Sequence, residues 1–417
     1  MKLSVLVRIQ ILSPIKIFFF ILNSGLVGIQ ITYQLKTSDM AAGKVGEYPS
    51  TPLTAAECVD FASYARNVDI AHVNGLKVAA EWLQEARRKV KEDNDNSVHV
   101  LSILDSLMII YQTVKCQCSA EALEVNATIH MISPQWKAGL PQPMCRESPK
   151  RVCRKLVNPA PMPEKFSRFN ALCRQEPVQL KEEMSSHRTP AHKLRCRYVH
   201  QGDPRLLLQP VKLEELNTIR PYIAILHNIV TEGEIDFMKR KSPAEFKRGT
   251  VFSDKKQKVS KIKISQTMKL PMKYMKKELF KLRGRLKALT RLNMRSFERI
   301  QVANYGTGGF YGFHVDIVEH EHDPEFSSKN NRLVTMVMYL TDVEAGGQTC
   351  FPTVGVVAPP KRGNILLFRN LHRNGTGVNE STHTSCPVMV GEKWIAIQWV
   401  RVYNQEFHFP CSLDPDK

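Results

Sequence analysis

Two residue types that bind metals meet in the stretch GGFYGFHVDIVEHEH, residues 308–322, where His314 and Asp316 are separated by a single residue. Just upstream, Ile300 and Val302 alternate with polar neighbours in ERIQVANYG, which reads as a strand entering a Gly-rich bend. On an extended segment residues i and i+2 point to the same face, so the imidazole and the carboxylate can meet one ion. His383, in STHTSCPVMVGEKW, is the third candidate ligand. Two imidazoles and one carboxylate on one face of an iron leave adjacent coordination positions open for a chelating cosubstrate and oxygen. A chelating dicarboxylate also needs a cation at its far end, and Lys393, on KWIAIQW, can supply it. Taken singly, His314 is a turn histidine and Lys393 a solvent-facing strand lysine. His320 and His322 read as loop residues.

These residues need rigid elements to bring them together. From Arg299 onward the chain reads as short strands: RIQVANY, RLVTMVMYL, QTCFP, NILLFRN, PVMVG and KWIAIQWVRV. They are rich in β-branched residues, and the turns AGGQ, PPKRGN and VGEK carry Gly and Pro. No helical periodicity interrupts them, which predicts an antiparallel double sheet or jelly roll in a domain spanning 211–417. Near its start, TEGEIDFMKRK offers a capping box at Thr231 and Glu234. In PMKYMKKELFKLRGRLKALTRL the apolar residues Met272, Met275, Leu279, Leu282, Leu286 and Leu289 recur at helical spacing, with Pro271 at the first helical position. Lys273, Lys276, Lys277, Lys281, Arg285 and Lys287 line much of the opposite face, either as a solvated basic surface or as a dock for an acidic protein.

Upstream the pattern is helical, with amphipathic segments near 54–66, 70–90, 97–114 and 119–132 separated by polar breaks such as KEDNDNS. TAAE at Thr54–Glu57 is a capping box. Residues 51–134 thus form an all-α unit, read either as an ordinary bundle or as a repeat-type groove for an extended peptide. Residues 135–210 shift to Pro, Arg and Cys and read as a loop-rich linker. At the start, Lys2, Arg8 and Lys16 precede or flank an apolar run from Ile17 to Ile29, the length of a secretory signal core and short for a membrane span. Residues 1–30 are read as a signal peptide, a retained anchor or a buried hydrophobic segment being the alternatives.

The 417 residues suffice for two or three domains, and the net charge of +19 favours acidic partners. Nucleic acid is disfavoured, because the basic helix neither interleaves aromatics nor shows a known binding motif. None of the ten cysteines forms a C-x2-C zinc spacing, which with a signal-like start favours disulfides in an oxidising compartment. Asn126, Asn374 and Asn379 open glycosylation sequons that matter only there. No KDEL-type ending follows Cys411, so retention in the endoplasmic reticulum would depend on a partner.

The run from IQVANYG through HVD, YLTDVEAGGQTCFP and HTSCPVMVGEKWIAIQW to FHFPC resembles the catalytic domain of the collagen prolyl 4-hydroxylase alpha-subunit family, iron and 2-oxoglutarate dioxygenases, over about residues 211–411. The resemblance implies an α+β multidomain chain with a tetratricopeptide-like peptide-binding region and a double-stranded β-helix catalytic domain. It implies His314, Asp316 and His383 as Fe(2+) ligands, Lys393 as partner of the distal 2-oxoglutarate carboxylate, and Tyr305 and Tyr339 near the cosubstrate. It also implies L-ascorbate as a reductant, hydroxylation at C4 of peptidyl proline, a proline-rich or collagen-like substrate, a protein disulfide isomerase partner and residence in the endoplasmic reticulum lumen. Disulfides Cys173–Cys196 and Cys386–Cys411 follow from the same resemblance. Between residues 54 and 132 the chain has only Tyr64 and Tyr111, whereas the family's peptide groove is rich in tyrosine. The same chemistry on another secreted protein, or a non-catalytic peptide-binding paralogue, therefore stand as alternatives.

Overall fold

The computed structural model describes residues 25–67, 75–114, 119–133, 135, 162–253, 256–259, 263–318 and 330–412. The chain divides into two compact units, residues 1–167 and 168–417.

In the first unit the periodic segments fold as α1 (Ala55–Asn67), α2 (Gly75–Glu92), α3 (Val100–Thr113) and α4 (Ala120–Ile132), each packed on the next. The expected capping box opens α1: the Thr54 amide donates to Glu57 Oε2 at 2.7 Å and the Glu57 amide to Thr54 Oγ1 at 3.2 Å. The polar break KEDNDNS serves the same helix start. Asp95 and Ser97 accept from the Ala55 and Ala56 amides at 2.7 and 3.0 Å, satisfying donors that lack an intrahelical partner. Trp82 anchors the core, fully buried and stacked on Phe61 at 4.8 Å, and its indole N–H donates to Gln30 Oε1 at 2.8 Å.

Gln30 belongs to a helical stretch at 25–33 in which Leu26, Val27 and Ile29 are buried. Buried residues are thus found inside the segment 1–30 read as a signal peptide; residues 1–24 lie outside the described residues. Among the described residues no helix is long and apolar enough to cross a membrane.

The second unit is mostly antiparallel sheet. Fourteen of its strands build two sheets: β1 (Cys196–Val199), β2 (Val211–Asn217), β3 (Ile223–Leu226), β4 (Lys247–Arg248), β5 (Lys263–Ile264), β6 (Gln266–Lys269), β7 (Gln301–Tyr305), β8 (Phe310–His314), β9 (Arg332–Tyr339), β10 (Thr349–Phe351), β11 (Val356–Ala358), β12 (Ile365–Arg369), β13 (His383–Ser385) and β14 (Lys393–Arg401). Nine of them form a large sheet in the order β1-β2-β3-β12-β9-β14-β7-β6-β4, and five form a smaller one, β11-β10-β13-β8-β5. The double sheet expected from the strand pattern is therefore present.

Period-2 alternation sorts the two cores. On β9, Met336 and Met338 join an outer core with the helices, while Val337 and Tyr339 join the core between the sheets. On β14, Trp394 and Ala396 face outward and Ile395 inward. Helix α6 (Glu232–Lys241) contributes Ile235 and Met238 to the outer core and opens with the expected Thr231–Glu234 capping box.

Three expectations change. The basic segment is two helices, α7 (Met272–Lys276) and α8 (Phe280–Thr290), because the Leu279 amide reaches back five residues to the Tyr274 carbonyl at 2.9 Å and widens the turn between them. Pro271 is an extended cap, with ψ 144°, and Met272 is 44% exposed, but Met275, Leu279, Leu282, Leu286 and Leu289 are buried as their spacing requires. Second, part of the supposed linker is ordered framework. A helix at Glu164–Cys173, here α5, ends in the second unit, and β1 pairs with β2 as an edge of the large sheet, so the second unit starts well before residue 211.

Third, among the described residues the disulfide is Cys173–Cys386, with Cα atoms 5.6 Å apart, rather than Cys173–Cys196 and Cys386–Cys411. The reason lies in the topology. Cys173, at the end of α5, comes up against the strand pair that carries Cys350 and Cys386, whose sulfurs are 3.2 Å apart. Cys196 starts the outermost strand of the large sheet, and it and Cys411 are exposed and unpaired. Cys116, Cys118, Cys145 and Cys153, like His320 and His322, lie outside the described residues.

Candidate metal centre and cosubstrate pocket

The HxD motif sits where β8 ends. Its partner strand β13 brings His383 directly opposite His314 in register, so the two halves of the site meet through one pairing of the small sheet. Donor atoms of His314, Asp316 and His383 all lie within 4.8 Å of one another. His314 Nε2 is 3.9 Å from Asp316 Oδ1, and His383 Nε2 is 4.0 Å from Asp316 Oδ2.

Neighbouring groups fix the protonation pattern. His314 Nδ1 lies 2.9 Å from the Gly312 carbonyl and His383 Nδ1 lies 3.0 Å from the Ser381 carbonyl. A carbonyl oxygen only accepts, so both Nδ1 atoms carry the hydrogen and both Nε2 lone pairs are left for an ion. Burial holds His314 well below the ordinary histidine value and lowers His383 as well, so both are neutral. Burial works against ionisation of Asp316, but the field of the Arg332 guanidinium and the hydrogen bond from Trp399 favour the carboxylate and draw the carboxyl below its ordinary value.

Asp316 is held by a register pair. Thr335 on β9 and Trp399 on β14 stand opposite each other, and the Thr335 hydroxyl and the Trp399 indole N–H donate to Asp316 Oδ2 at 2.7 and 2.9 Å. That leaves Oδ1 as the free donor. Behind them, the Arg332 guanidinium stacks 3.7 Å over the Trp399 ring, and Glu298 accepts from Arg332 and Arg401 at 2.9 and 3.2 Å.

The other end of the pocket holds Lys393, only 1% exposed. Its ammonium donates to Ser385 Oγ at 2.9 Å and approaches Thr349 Oγ1 at 3.4 Å. The Tyr305 and Tyr339 rings lie 5.6 and 5.7 Å from Nζ, Tyr305 being the register partner of Lys393, and the Tyr339 hydroxyl donates to Thr349 at 2.9 Å. Among the described residues no carboxylate pairs with this ammonium, and burial lowers it to about 7. Phe368 and Phe351 flank His383 at ring distances of 4.7 and 5.7 Å.

Both ends fit what an iron and 2-oxoglutarate site requires. A donor set of two neutral imidazoles and one carboxylate carries one negative charge and matches a divalent cation. A buried ammonium that meets only hydroxyls lacks an anion, which a dicarboxylate would supply. All six residues singled out from the sequence, His314, Asp316, His383, Lys393, Tyr305 and Tyr339, come to this one pocket.

Sequence reasoning missed Thr335, Trp399, Thr349 and Ser385. Thr335 carried a signal: in RLVTMVMYL it is the one threonine, and it lies on the face that also presents Tyr339. Tyr311 and Lys263 were missed as well. Tyr311 stacks on His314 at 3.5 Å, and the buried Lys263 ammonium lies 4.3 Å from the centre of the Tyr311 ring. Burial lowers Lys263 to about 8.

Comparison with known proteins is consistent with this geometry. Residues 300–401 match the 2OG-Fe(II) oxygenase superfamily. The chain is similar to prolyl 4-hydroxylase subunit alpha-3 of Homo sapiens, at 37% identity over 226 residues, covering 54% of this chain and 41% of that protein. It is similar to subunit alpha-1 of Homo sapiens at 28% identity over 93% of this chain and 74% of that protein, and to subunit alpha-2 of Caenorhabditis elegans at 29% over 94% and 72%. Among solved structures, a viral collagen prolyl hydroxylase from Paramecium Bursaria Chlorella virus-1 matches at 25% identity and TM-score 0.32, covering 43% of this chain and 95% of that one. The second unit is thus built around a 2OG-Fe(II) oxygenase domain, in a chain similar over most of its length to prolyl 4-hydroxylase alpha subunits.

Proposed function

We propose that this chain is an alpha-type subunit of a prolyl 4-hydroxylase, acting on peptidyl proline in the endoplasmic reticulum lumen. The observation that carries the reading is the pairing, in one pocket, of a neutral-His, anionic-Asp donor set with a buried lysine that has no counter-ion. His314, His383 and Asp316 Oδ1 would hold Fe(II), with Nδ1 hydrogens fixed on carbonyls and Oδ2 fixed by Thr335 and Trp399. Lys393, with Ser385 and Thr349, would take the far carboxylate of 2-oxoglutarate, and Tyr305 and Tyr339 would line it. Phe351 and Phe368 would exclude water around His383. When bound, Fe(II) with 2-oxoglutarate and O2 supplies the oxidising chemistry, one oxygen going to C4 of proline and the other to succinate as CO2 is lost. L-ascorbate would serve as reductant, and a protein disulfide isomerase would be the partner subunit.

The helical unit would bind the peptide as a tetratricopeptide-like groove. Of the two tyrosines between residues 54 and 132, Tyr111 is only 2% exposed and Tyr64 is half-buried, so at most one tyrosine ring is left for proline stacking. The test is co-expression with protein disulfide isomerase and measurement of succinate and 4-hydroxyproline with and without a Pro-Pro-Gly peptide. Stimulation by the peptide supports the first reading. Peptide-independent decarboxylation leaves the chemistry and moves the substrate to another secreted protein. No decarboxylation with iron and 2-oxoglutarate present overturns both.

A further inference from the structure

Resting on that reading, we infer that Asn370 is a positioning residue for the metal centre: its side-chain amide sets the direction of the Thr335 hydroxyl and so readies Asp316 for the ion. Asn370 directly follows β12 and is 0% exposed, as is Thr335. Its Nδ2 donates to Thr335 Oγ1 at 2.8 Å, and the Thr335 hydroxyl donates to Asp316 Oδ2 at 2.7 Å. The main chain of Asn370 is tied on both sides. Its N–H donates to the carbonyl of Leu333, on the strand that carries Thr335, at 2.9 Å, and its own carbonyl accepts from the Val378 amide at 2.8 Å. The amide therefore stands on the same framework as the hydroxyl it meets.

Hydrogen counting gives the direction. A threonine hydroxyl has one hydrogen and two lone pairs, whereas a metal-binding carboxylate has lone pairs alone. At 2.7 Å the two oxygens need a hydrogen between them, and only Thr335 can supply it. Toward Asn370 the hydroxyl is then left with lone pairs, so the atom facing it at 2.8 Å is the donor Nδ2. With the amide turned over, Oδ1 would compete with Asp316 for the single hydrogen. Among the described residues the buried Asn370 Oδ1 has no hydrogen-bond partner. An unpaired buried carbonyl is costly, and the orientation that accepts this cost is the one that gives Thr335 a donor. Trp399 donates to the same carboxylate oxygen, so the arrangement reserves Oδ2 for the protein and Oδ1 for the metal. Asn370 acts through Thr335.

The test is a double-mutant cycle read by cobalt(II) absorption titration of the full chain, with His383→Ala as the blank. Asn370→Leu removes the donor at nearly the same size and should weaken cobalt binding about fivefold, against about tenfold for Thr335→Val. The double variant should stay within about twofold of Thr335→Val, because no hydroxyl is left to direct. The visible bands of bound cobalt, which report its oxygen donors, should shift in both single variants and no further in the double. Asn370→Ala repeats the cycle, so a leucine too large for the site does not end the test. Cobalt affinity within about twofold of the parent in both Asn370 variants overturns the inference, as does a double variant about fiftyfold weaker than the parent, the product expected of independent contributions. Bands that shift in Thr335→Val but not in the Asn370 variants overturn it too. If the parent binds no cobalt, the metal centre and this inference fall together; if it binds and the cycle is additive, only the role of Asn370 fails.

Discussion

The two ends of the pocket solve opposite electrostatic problems with the same strands. At the metal end, β8 and β13 present neutral imidazoles and one anion, and every polar atom not meant for an ion is already engaged, by the Gly312 and Ser381 carbonyls or by Thr335 and Trp399. At the lysine end, β14 buries a cation that meets only the hydroxyls of Ser385 and Thr349. The first end awaits positive charge and the second awaits negative charge. Both sit on the inner faces of the sheets, so a single molecule with a chelating head and a distant carboxylate can satisfy them together.

The contrast is broken most sharply at the metal end. His383→Ala removes one of three donors and should abolish both metal binding and 2-oxoglutarate decarboxylation while the far-UV spectrum is unchanged; cobalt(II) absorption titration reports the first and succinate the second. Full cobalt binding in this variant would move the metal site elsewhere. At the other end, Lys393→Ala should raise the KM for 2-oxoglutarate roughly ten- to a hundredfold, since a charge-assisted contact is worth about 1.5–3 kcal/mol and about 1.4 kcal/mol is a factor of ten. Cobalt affinity should hardly change, and a KM within about twofold of the parent would displace the anchor from Lys393.

A gentler change separates donors from the groups that orient them. Thr335→Val keeps the shape but removes one of two hydrogen bonds to Asp316 Oδ2, so metal affinity should fall about tenfold with the KM for 2-oxoglutarate little altered. The smallest effect concerns stability. Lys393 titrates at about 7 when folded against an ordinary value of 10.5, so between those pH values the unfolded chain holds a proton that the folded one releases. Stability of the metal-free protein therefore rises with pH across that window. Lys393→Met should melt higher than the parent at pH 7, with the gap narrowing toward pH 10; a gap independent of pH would mean that the lysine is not buried as a free cation.

Much of this was legible because it depends on local period. The i, i+2 spacing of His314 and Asp316 and the alternation in RLVTMVMYL and KWIAIQWVRV are properties of single segments. What escaped depends on which segments become neighbours. Thr335 meets Trp399 only through the β9–β14 register, and Cys173 meets Cys386 only because α5 ends against the strands of the small sheet. A resemblance could suggest cysteine partners but could not place α5. The break between α7 and α8 escaped for a related reason: the buried residues keep their spacing of three and four across it, so the apolar pattern reads straight through a change in backbone hydrogen bonding.

The Cys173–Cys386 bond closes a covalent ring around most of the second unit, with a span of 213 positions. HxD, the distal histidine, Tyr305 and Tyr339 are all inside the ring, and Lys393 lies just beyond its closure. A backbone nicked once anywhere in that span stays a single molecule in oxidising surroundings, its ligands still tied to one another. Only a reductant lets the pieces part. Durability of the centre against proteolysis is thereby set by the thiol chemistry of the compartment as well as by the strength of the fold.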